Sequence, residues 1–150
     1  MRIGKGSQLL AKGPLRLTIT GGRISCRGIE FSPQSDPLII KGWESFDIAA
    51  LEDSEVQTTG NGKLKRTGKS YPSEWGSFIS SVSPDKVEKI MVAGKSDTGK
   101  STLCTLIINR FISSGGDPYI VDSDIGQSDI GPPTTVGLGH PQFPLIRLAE

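Results

Sequence analysis

The run Gly94-Lys95-Ser96-Asp97-Thr98-Gly99-Lys100-Ser101 matches G-x-x-x-x-G-K-[ST] at every specified position. In such a loop the two glycines let the backbone wrap closely enough for successive N–H groups to aim at phosphate oxygens. A helix opening at Gly99–Lys100 presents the positive end of its dipole to the same anion. Lys100 then reaches the β- and γ-phosphates as a mobile point charge, and the Ser101 hydroxyl ligates Mg2+. The expected cradle comprises Gly94, Lys95, Ser96, Asp97, Thr98, Gly99, Lys100, Ser101 and Thr102. The plain alternative is a glycine-rich turn that matches by accident. An apolar run before the loop and helical spacing after it argue against that reading.

Val121-Asp122-Ser123-Asp124-Ile125-Gly126-Gln127-Ser128 is the second chemical segment. It places two carboxylates at i and i+2 just past an expected strand end, on the sheet edge that carries the P-loop. One can hold the water shell of Mg2+, and the other can accept a proton from an attacking hydroxyl. Gln127 can orient a phosphate, a water or an acceptor. The bland alternative is an acidic turn whose aspartates cap backbone N–H groups. A GTPase is disfavoured, because the position three before Gly126 is Ser123 rather than aspartate and no N-K-x-D element occurs. No Leu-Ser-Gly-Gly-Gln signature of transporter ATPases is present either.

The elements that must position these residues follow from periodicity. Lys89-Ile90-Met91-Val92-Ala93 is a compact apolar run ending in glycine, as a buried parallel strand would. From Lys100 to Ser114, Leu103, Leu106, Ile107 and Phe111 recur at helical spacing, and Gly115-Gly116 stops the helix. Tyr119–Val121 reads as a second buried strand ending in Asp122, with a third near Leu145–Leu148. Strand, helix and strand in alternation call for a parallel sheet. A short helix is expected over 73–83.

Upstream the pattern is β. Leu15, Leu17 and Ile19 alternate with polar residues, Gly21-Gly22 follows, and Ile24 and Cys26 alternate again, which predicts a β-hairpin. Ile29–Phe31, Leu38–Ile40 and Phe46–Ile48 are further short strands separated by proline- and serine-rich breakers. Residues 57–70 lack periodicity and read as a hairpin tip or loop. Their basic run, Lys63 to Lys69, reads as a solvated loop rather than a binding patch. The expected architecture is therefore a small all-β, sandwich-like domain with linker over residues 1–80. The start of an α/β P-loop NTPase domain with a parallel sheet follows over 81–150, as the N-terminal part of something longer.

Composition excludes more than it nominates. The chain has 150 residues and a net charge of +1, so bulk electrostatics name no partner. No apolar run approaches the roughly 18 residues that span a bilayer, and the N-terminus lacks a secretory h-region. Two cysteines and one histidine leave neither a disulfide framework nor a structural zinc site, and fit a cytoplasmic protein. Trp43, Tyr71 and Trp75 can stack on bases or pack in a core. Cys104 reads as a packing residue, Arg147 as structural or surface, and His140 receives no role.

Gly94–Ser101, the Asp122-to-Gln127 element and Gly131-Pro132-Pro133-Thr134-Thr135-Val136-Gly137 together resemble the polynucleotide 5′-hydroxyl kinases, the RNA-processing P-loop kinases, in an archaeal-type, N-terminal portion. Leu51–Val56 and Pro72–Trp75 resemble that family's N-terminal domain more loosely. The resemblance implies phosphorylation of a 5′-hydroxyl on RNA, with DNA as a second acceptor, using ATP and Mg2+. It implies Lys100 on the ATP phosphates, Ser101 and Asp122 on the metal side, Asp124 as general base and Gln127 steadying the substrate or the metal shell. Pro133, Thr134 and Thr135 stand where the family has a phosphate clasp, although the usual Pro-Gly is here Pro132-Pro133-Thr134-Thr135 with glycine displaced to Gly137. The family's lid arginine lies beyond this region. A non-catalytic ATP-binding scaffold of an RNA-processing complex and a P-loop kinase for a small metabolite are the alternative readings.

Overall fold

The computed structural model describes residues 1–68 and 71–148; the side chain of Ser73 and the end of the basic run at Lys69 lie outside the described residues. The chain divides into two compact units, Met1–Ser73 and Glu74–Glu150.

The first unit contains β1 (Arg2–Ile3), β2 (Gln8–Lys12), β3 (Leu15–Gly21), β4 (Ile24–Cys26), β5 (Ile29–Phe31), β6 (Leu38–Ile40), β7 (Ser45–Ala50), β8 (Ser54–Thr59) and β9 (Lys63–Thr67). They form a four-stranded sheet, ordered β1-β8-β3-β6, and a five-stranded sheet, ordered β5-β4-β7-β2-β9. Every pairing is antiparallel. The alternating residues Leu15, Leu17, Ile19, Ile40 and Val56 of one sheet are buried, as are Leu9, Ile24, Phe46 and Ile48 of the other. Burying each such side chain stabilises the fold by about 1.5–3 kcal/mol.

Two expectations for this unit are corrected. β3 and β4 are not a hairpin: β3 pairs with β6 and β8, whereas β4 pairs with β5 and β7. Gly21-Gly22 instead carries the chain from one sheet to the other. Gly22 has φ +71, and a Cβ there would lie 2.3 Å from the Asp53 carbonyl oxygen, so a close backbone crossing requires glycine. The hairpin at this place is β4–β5, whose two-residue connection Arg27-Gly28 has φ 50 and 78, the positive pair that a type I′ turn needs. The second correction is residues 57–70, where the end of β8 and all of β9 are strand. β9 escaped notice because it lies at a sheet edge and carries charge where an inner strand would carry apolar residues.

The second unit holds α1 (Ser73–Ser81, its first residue at the boundary), α2 (Lys100–Ser113), β10 (Ile120–Asp122) and β11 (Gly137–Gly139). α2 buries Thr105 to Asn109 at its middle, while Leu103 and Phe111 are half-buried. The parallel sheet is absent among the described residues: β10 and β11 pair antiparallel, Val121 opposite Leu138. Lys89–Ala93 is not a strand and Met91 is 90% exposed, because no neighbouring strand supplies its peptide groups with partners. Leu145–Leu148 is not a strand either. The buried Asn109 amide takes both peptide groups of Leu145, donating to its carbonyl at 2.8 Å and accepting its N–H at 2.7 Å. Beyond β11, His140 stacks on Tyr119 with ring centroids 4.0 Å apart, and its Nε2 lies 2.6 Å from Asp117 Oδ1, which ties the start of β10 to the end of β11.

Candidate nucleotide-binding site

The loop 94–99 ends at Gly99, which occupies the N-cap of α2 with φ 88 and contributes no side-chain cap. The first N–H groups of α2 are thus left for an outside acceptor. A Cβ on Gly99 would meet Trp75 Cη2 at 3.0 Å, and one on Gly94 would meet Thr98 Oγ1 at 3.0 Å. Both glycines are therefore fixed by close approach as well as by the motif. Asp97, at φ 59, supplies a second left-handed residue in the loop. Thr98 Oγ donates to the Lys95 carbonyl at 2.8 Å and holds the loop closed.

Lys100 lies across this loop. Its Nζ donates to the Lys95 carbonyl at 3.1 Å and stands 3.5 Å from Asp124 Oδ2. Ser96 Oγ donates to Gln127 Oε1 at 3.1 Å. The P-loop and the acidic element therefore meet at two places, both of them pairs of residues singled out from the sequence. Beneath them is a cleft of about 660 Å3 lined by Gly94, Asp97, Gly99, Lys100, Ser101, Thr102, Asp122, Asp124 and Gln127. That is an ordinary size for a cofactor site.

The two aspartates have different occupations. Asp122 Oδ1 accepts the Asp124 N–H at 3.0 Å. Its Oδ2 accepts the Asp129 N–H at 2.6 Å, the Ile130 N–H at 3.2 Å and the Ser128 hydroxyl at 3.4 Å. Partial burial pushes this carboxyl up, but the backbone N–H groups of Asp124, Asp129 and Ile130 and the Ser128 hydroxyl outweigh it and hold it below the usual carboxylate range. Asp124 accepts only a long bond from the Gln127 N–H, at 3.3 Å, and turns its other oxygen toward Lys100. Asp122 thus does what a capping aspartate does, and Asp124 is the carboxylate presented to the cleft.

The segment 133–135 does not line the cleft. Thr134 has φ 66, an uncommon conformation for a β-branched residue, and its N–H donates to the Ile125 carbonyl at 3.3 Å. Thr135 Oγ donates to the Pro132 carbonyl at 2.7 Å. These contacts fasten the loop to the acidic element and to itself. Lys95, Ser96 and Thr98 shape the cradle without lining the cleft. Sequence reasoning missed Trp75 against Gly99 and Cys104 in the cleft wall, one turn beyond Lys100. Burial pushes the Cys104 thiol up, Asp122 and Asp129 add to this, and Lys100 opposes it. The signal for Cys104 was its i+4 spacing from Lys100; nothing in the sequence placed Trp75.

A glycine loop opening a helix, with a lysine over it and an aspartate facing that lysine, defines a P-loop nucleotide-binding segment. Residues 94–149 match the family model described as mRNA cleavage and polyadenylation factor CLP1 P-loop. The chain is 41% identical over 69 residues to the polyribonucleotide 5′-hydroxyl-kinase of Thermococcus kodakarensis, covering 46% of this chain and 20% of that protein. It is 44% identical over 62 residues to the Methanocaldococcus jannaschii enzyme of the same name (41% and 17% covered), and 47% identical over 49 residues to that of Xenopus tropicalis (33% and 11%). The solved structure of a wild-type Clp1p–Pcf11p complex shares the fold, with a TM-score of 0.65 at 20% identity over 92% of this chain and 35% of that one. The family resemblance read from the motifs therefore holds, archaeal relatives included. The chain spans about one fifth of the length of the curated relatives it matches first.

Proposed function

We propose that this chain carries the phosphate-binding segment of an ATP-dependent polynucleotide 5′-hydroxyl kinase acting on RNA, with DNA as a second acceptor. The observation that supports it most is the meeting of Lys100 with Asp124 at 3.5 Å above the P-loop cleft. The residues present fit a nucleoside triphosphate with Mg2+: an uncapped helix N-terminus, a glycine loop, an ammonium and the Ser101 hydroxyl converge on one cleft. When bound, the nucleotide supplies the phosphoryl group for transfer.

The chain's own residues then have distinct tasks. With nucleotide bound, Lys100 would give up its Lys95 carbonyl for phosphate oxygens, and Asp124, released from Lys100, would take the proton of the 5′-hydroxyl. Ser101, in the cleft lining, would hold Mg2+ through its hydroxyl. Asp122, whose lone pairs are engaged by its own loop, would act on the metal side through a water shell, and it holds the backbone of Asp124 and Asp129 in place. Gln127, already held by Ser96, steadies the acceptor. Pro133, Thr134 and Thr135, which stand outside the cleft lining here, would have to give up the Thr134 bond to the Ile125 carbonyl to close over the phosphates as a clasp.

The test is a calorimetric titration with Mg-ATP, wild type beside Lys100→Ala, followed by transfer to a 5′-hydroxyl oligonucleotide. We expect binding to weaken at least 100-fold in the variant, and equal binding would overturn the reading. Undiminished transfer by Asp124→Asn would remove the general-base assignment. An ATP-binding scaffold is the second reading, favoured because the protein of similar fold was solved in a complex, Clp1p with Pcf11p; it expects binding without transfer.

A further inference from the structure

The basic run of β9 is not a loop, and its strand geometry has a chemical meaning. β9 pairs with β2 in the register Lys12↔Lys63, Leu10↔Lys65 and Gln8↔Thr67. The intervening Leu9 and Ala11 of β2 are fully buried, so Lys12, Lys63 and Lys65 share the outward face and all three are exposed. Lys12 and Lys63 stand directly opposite one another, with Cβ atoms about 4.5–5.5 Å apart in such pairs, and Lys65 follows about 6.8 Å along the strand. Like charges directly opposite oppose sheet formation.

Elsewhere in the same unit Arg2 is neutralised by Glu55, and Arg23 by Glu30 and Glu52, whereas the exposed Arg16 and Arg66 make no ion pair with any described residue. Lys12, Lys63 and Lys65 make no ion pair with any described residue. On β2, β7 and β9 the register places one carboxylate on this face, Asp47, opposite Leu10. A chain with net charge +1 thus concentrates three unmatched ammonium groups on one ladder. Lysines on an edge strand also deter edge-to-edge pairing. That purpose accounts for Lys63 and Lys65 but not for Lys12, because β2 is paired on both sides.

We propose that Lys12, Lys63 and Lys65 form a contact surface for the phosphate backbone of single-stranded RNA. The surface shares no residue with the P-loop cleft, and its contacts would be independent of base sequence. Charge complementarity identifies a polyanion, and the choice of RNA rests on the polynucleotide reading above. Phosphate contacts of this kind fix position and carry no sequence information.

The experiment is fluorescence anisotropy of a labelled 5′-hydroxyl RNA with the 150-residue chain between 50 and 200 mM KCl. The variants are Lys12→Gln/Lys63→Gln/Lys65→Gln, an equal-charge control Lys5→Gln/Lys41→Gln/Lys86→Gln, and Lys100→Ala. Each phosphate contact on a single strand contributes about −0.7 to the slope of log K against log salt. The patch variant is expected to lose about 2 from that slope, so its affinity falls about 20-fold less than wild type across the range. The control and Lys100→Ala are expected to keep the wild-type slope. Equal slopes for patch variant and wild type overturn the proposal, as do equal changes in patch and control variants. So does a patch variant that self-associates with RNA binding intact, or a wild type that binds phosphatidylserine vesicles and not RNA. If wild type binds no Mg-ATP while the slope difference stands, the kinase reading fails and the patch survives; ATP binding without a slope difference overturns the patch alone.

Discussion

Gly99→Ala isolates the backbone's part in the cradle. Gly99 sits at φ 88, where a residue with a Cβ loses roughly 1–2 kcal/mol against its preferred conformations. The added Cβ would stand 3.0 Å from Trp75 Cη2, so the ring must also yield by a few tenths of an ångström. If the loop holds its shape, the strain appears as lost stability of about 1–2 kcal/mol. If the loop relaxes instead, the first N–H groups of α2 cease to converge and the same free energy appears as about 5–30-fold weaker Mg-ATP binding. The same chemical change at Gly76 provides the contrast. That residue lies inside α1, without positive φ, and nothing lies within 4 Å of an added Cβ. Gly76→Ala should stabilise by about 0.5–1 kcal/mol. Urea unfolding followed by amide exchange in α2, with calorimetry for nucleotide, reads both variants. A Gly99→Ala protein within about 0.5 kcal/mol of wild type and unaltered in ATP binding would refute the strain argument. So would effects of the same sign at the two glycines.

Other outcomes follow from the acidic loop and the packing around α2. Asp122→Asn, which keeps one acceptor oxygen against three N–H donors and a hydroxyl, should destabilise loop 122–130 by about 1–3 kcal/mol, seen as faster exchange of the Asp129 and Ile130 amides. Because the folded Asp122 carboxyl titrates below its unfolded value of about 3.9, its contribution is present above that pH and lost as pH falls through the folded value. Wild-type protection should therefore decline on acidification from pH 5 toward pH 2, with a shallower decline in Asp122→Asn. Asn109→Ala leaves both Leu145 peptide groups without their partner and should cost about 2–4 kcal/mol in urea unfolding. At Gly137 a Cβ would lie 1.9 Å from the Ile130 carbonyl oxygen, so Gly137→Ala should abolish the Val121–Leu138 cross-strand contact in NMR spectra.

The local features of the site were legible because each rests on a short stretch of chain. The glycine loop, the helix from Lys100 and the acidic element are contiguous motifs, and the structure brings Lys100 to Asp124 and Ser96 to Gln127. Partners distant in sequence were less legible. Alternation at Leu15–Ile19 and at Ile24–Cys26 says which side of a strand is buried, not which strand lies beside it, so a crossing between sheets read as a hairpin. Apolarity at Lys89–Ala93 supplies side chains for a strand but no hydrogen-bonding neighbour. The i, i+2 spacing placed Asp122 and Asp124 together at one sheet edge, but the chain turns as soon as β10 ends. One carboxylate binds its own loop and the other faces the cleft. Leu145 is captured by an amide 36 residues away, which no periodicity could announce.

The order of pairing in the β unit has a consequence for its synthesis. Its first two strands are matched with its last two: Arg2 lies opposite Glu55, and Gln8 opposite Thr67. Neither β1 nor the open edge of β2 can complete its ladder until β8 and β9 have left the ribosome. At roughly 5–20 residues per second, that leaves the leading strands exposed for several seconds. Through that interval Leu9 and Leu17, buried in the finished unit, have only incomplete sheets to cover them. The nascent β unit is therefore most vulnerable to aggregation just before its basic edge strand arrives, and removing β9 would leave the outer edge of β2 open.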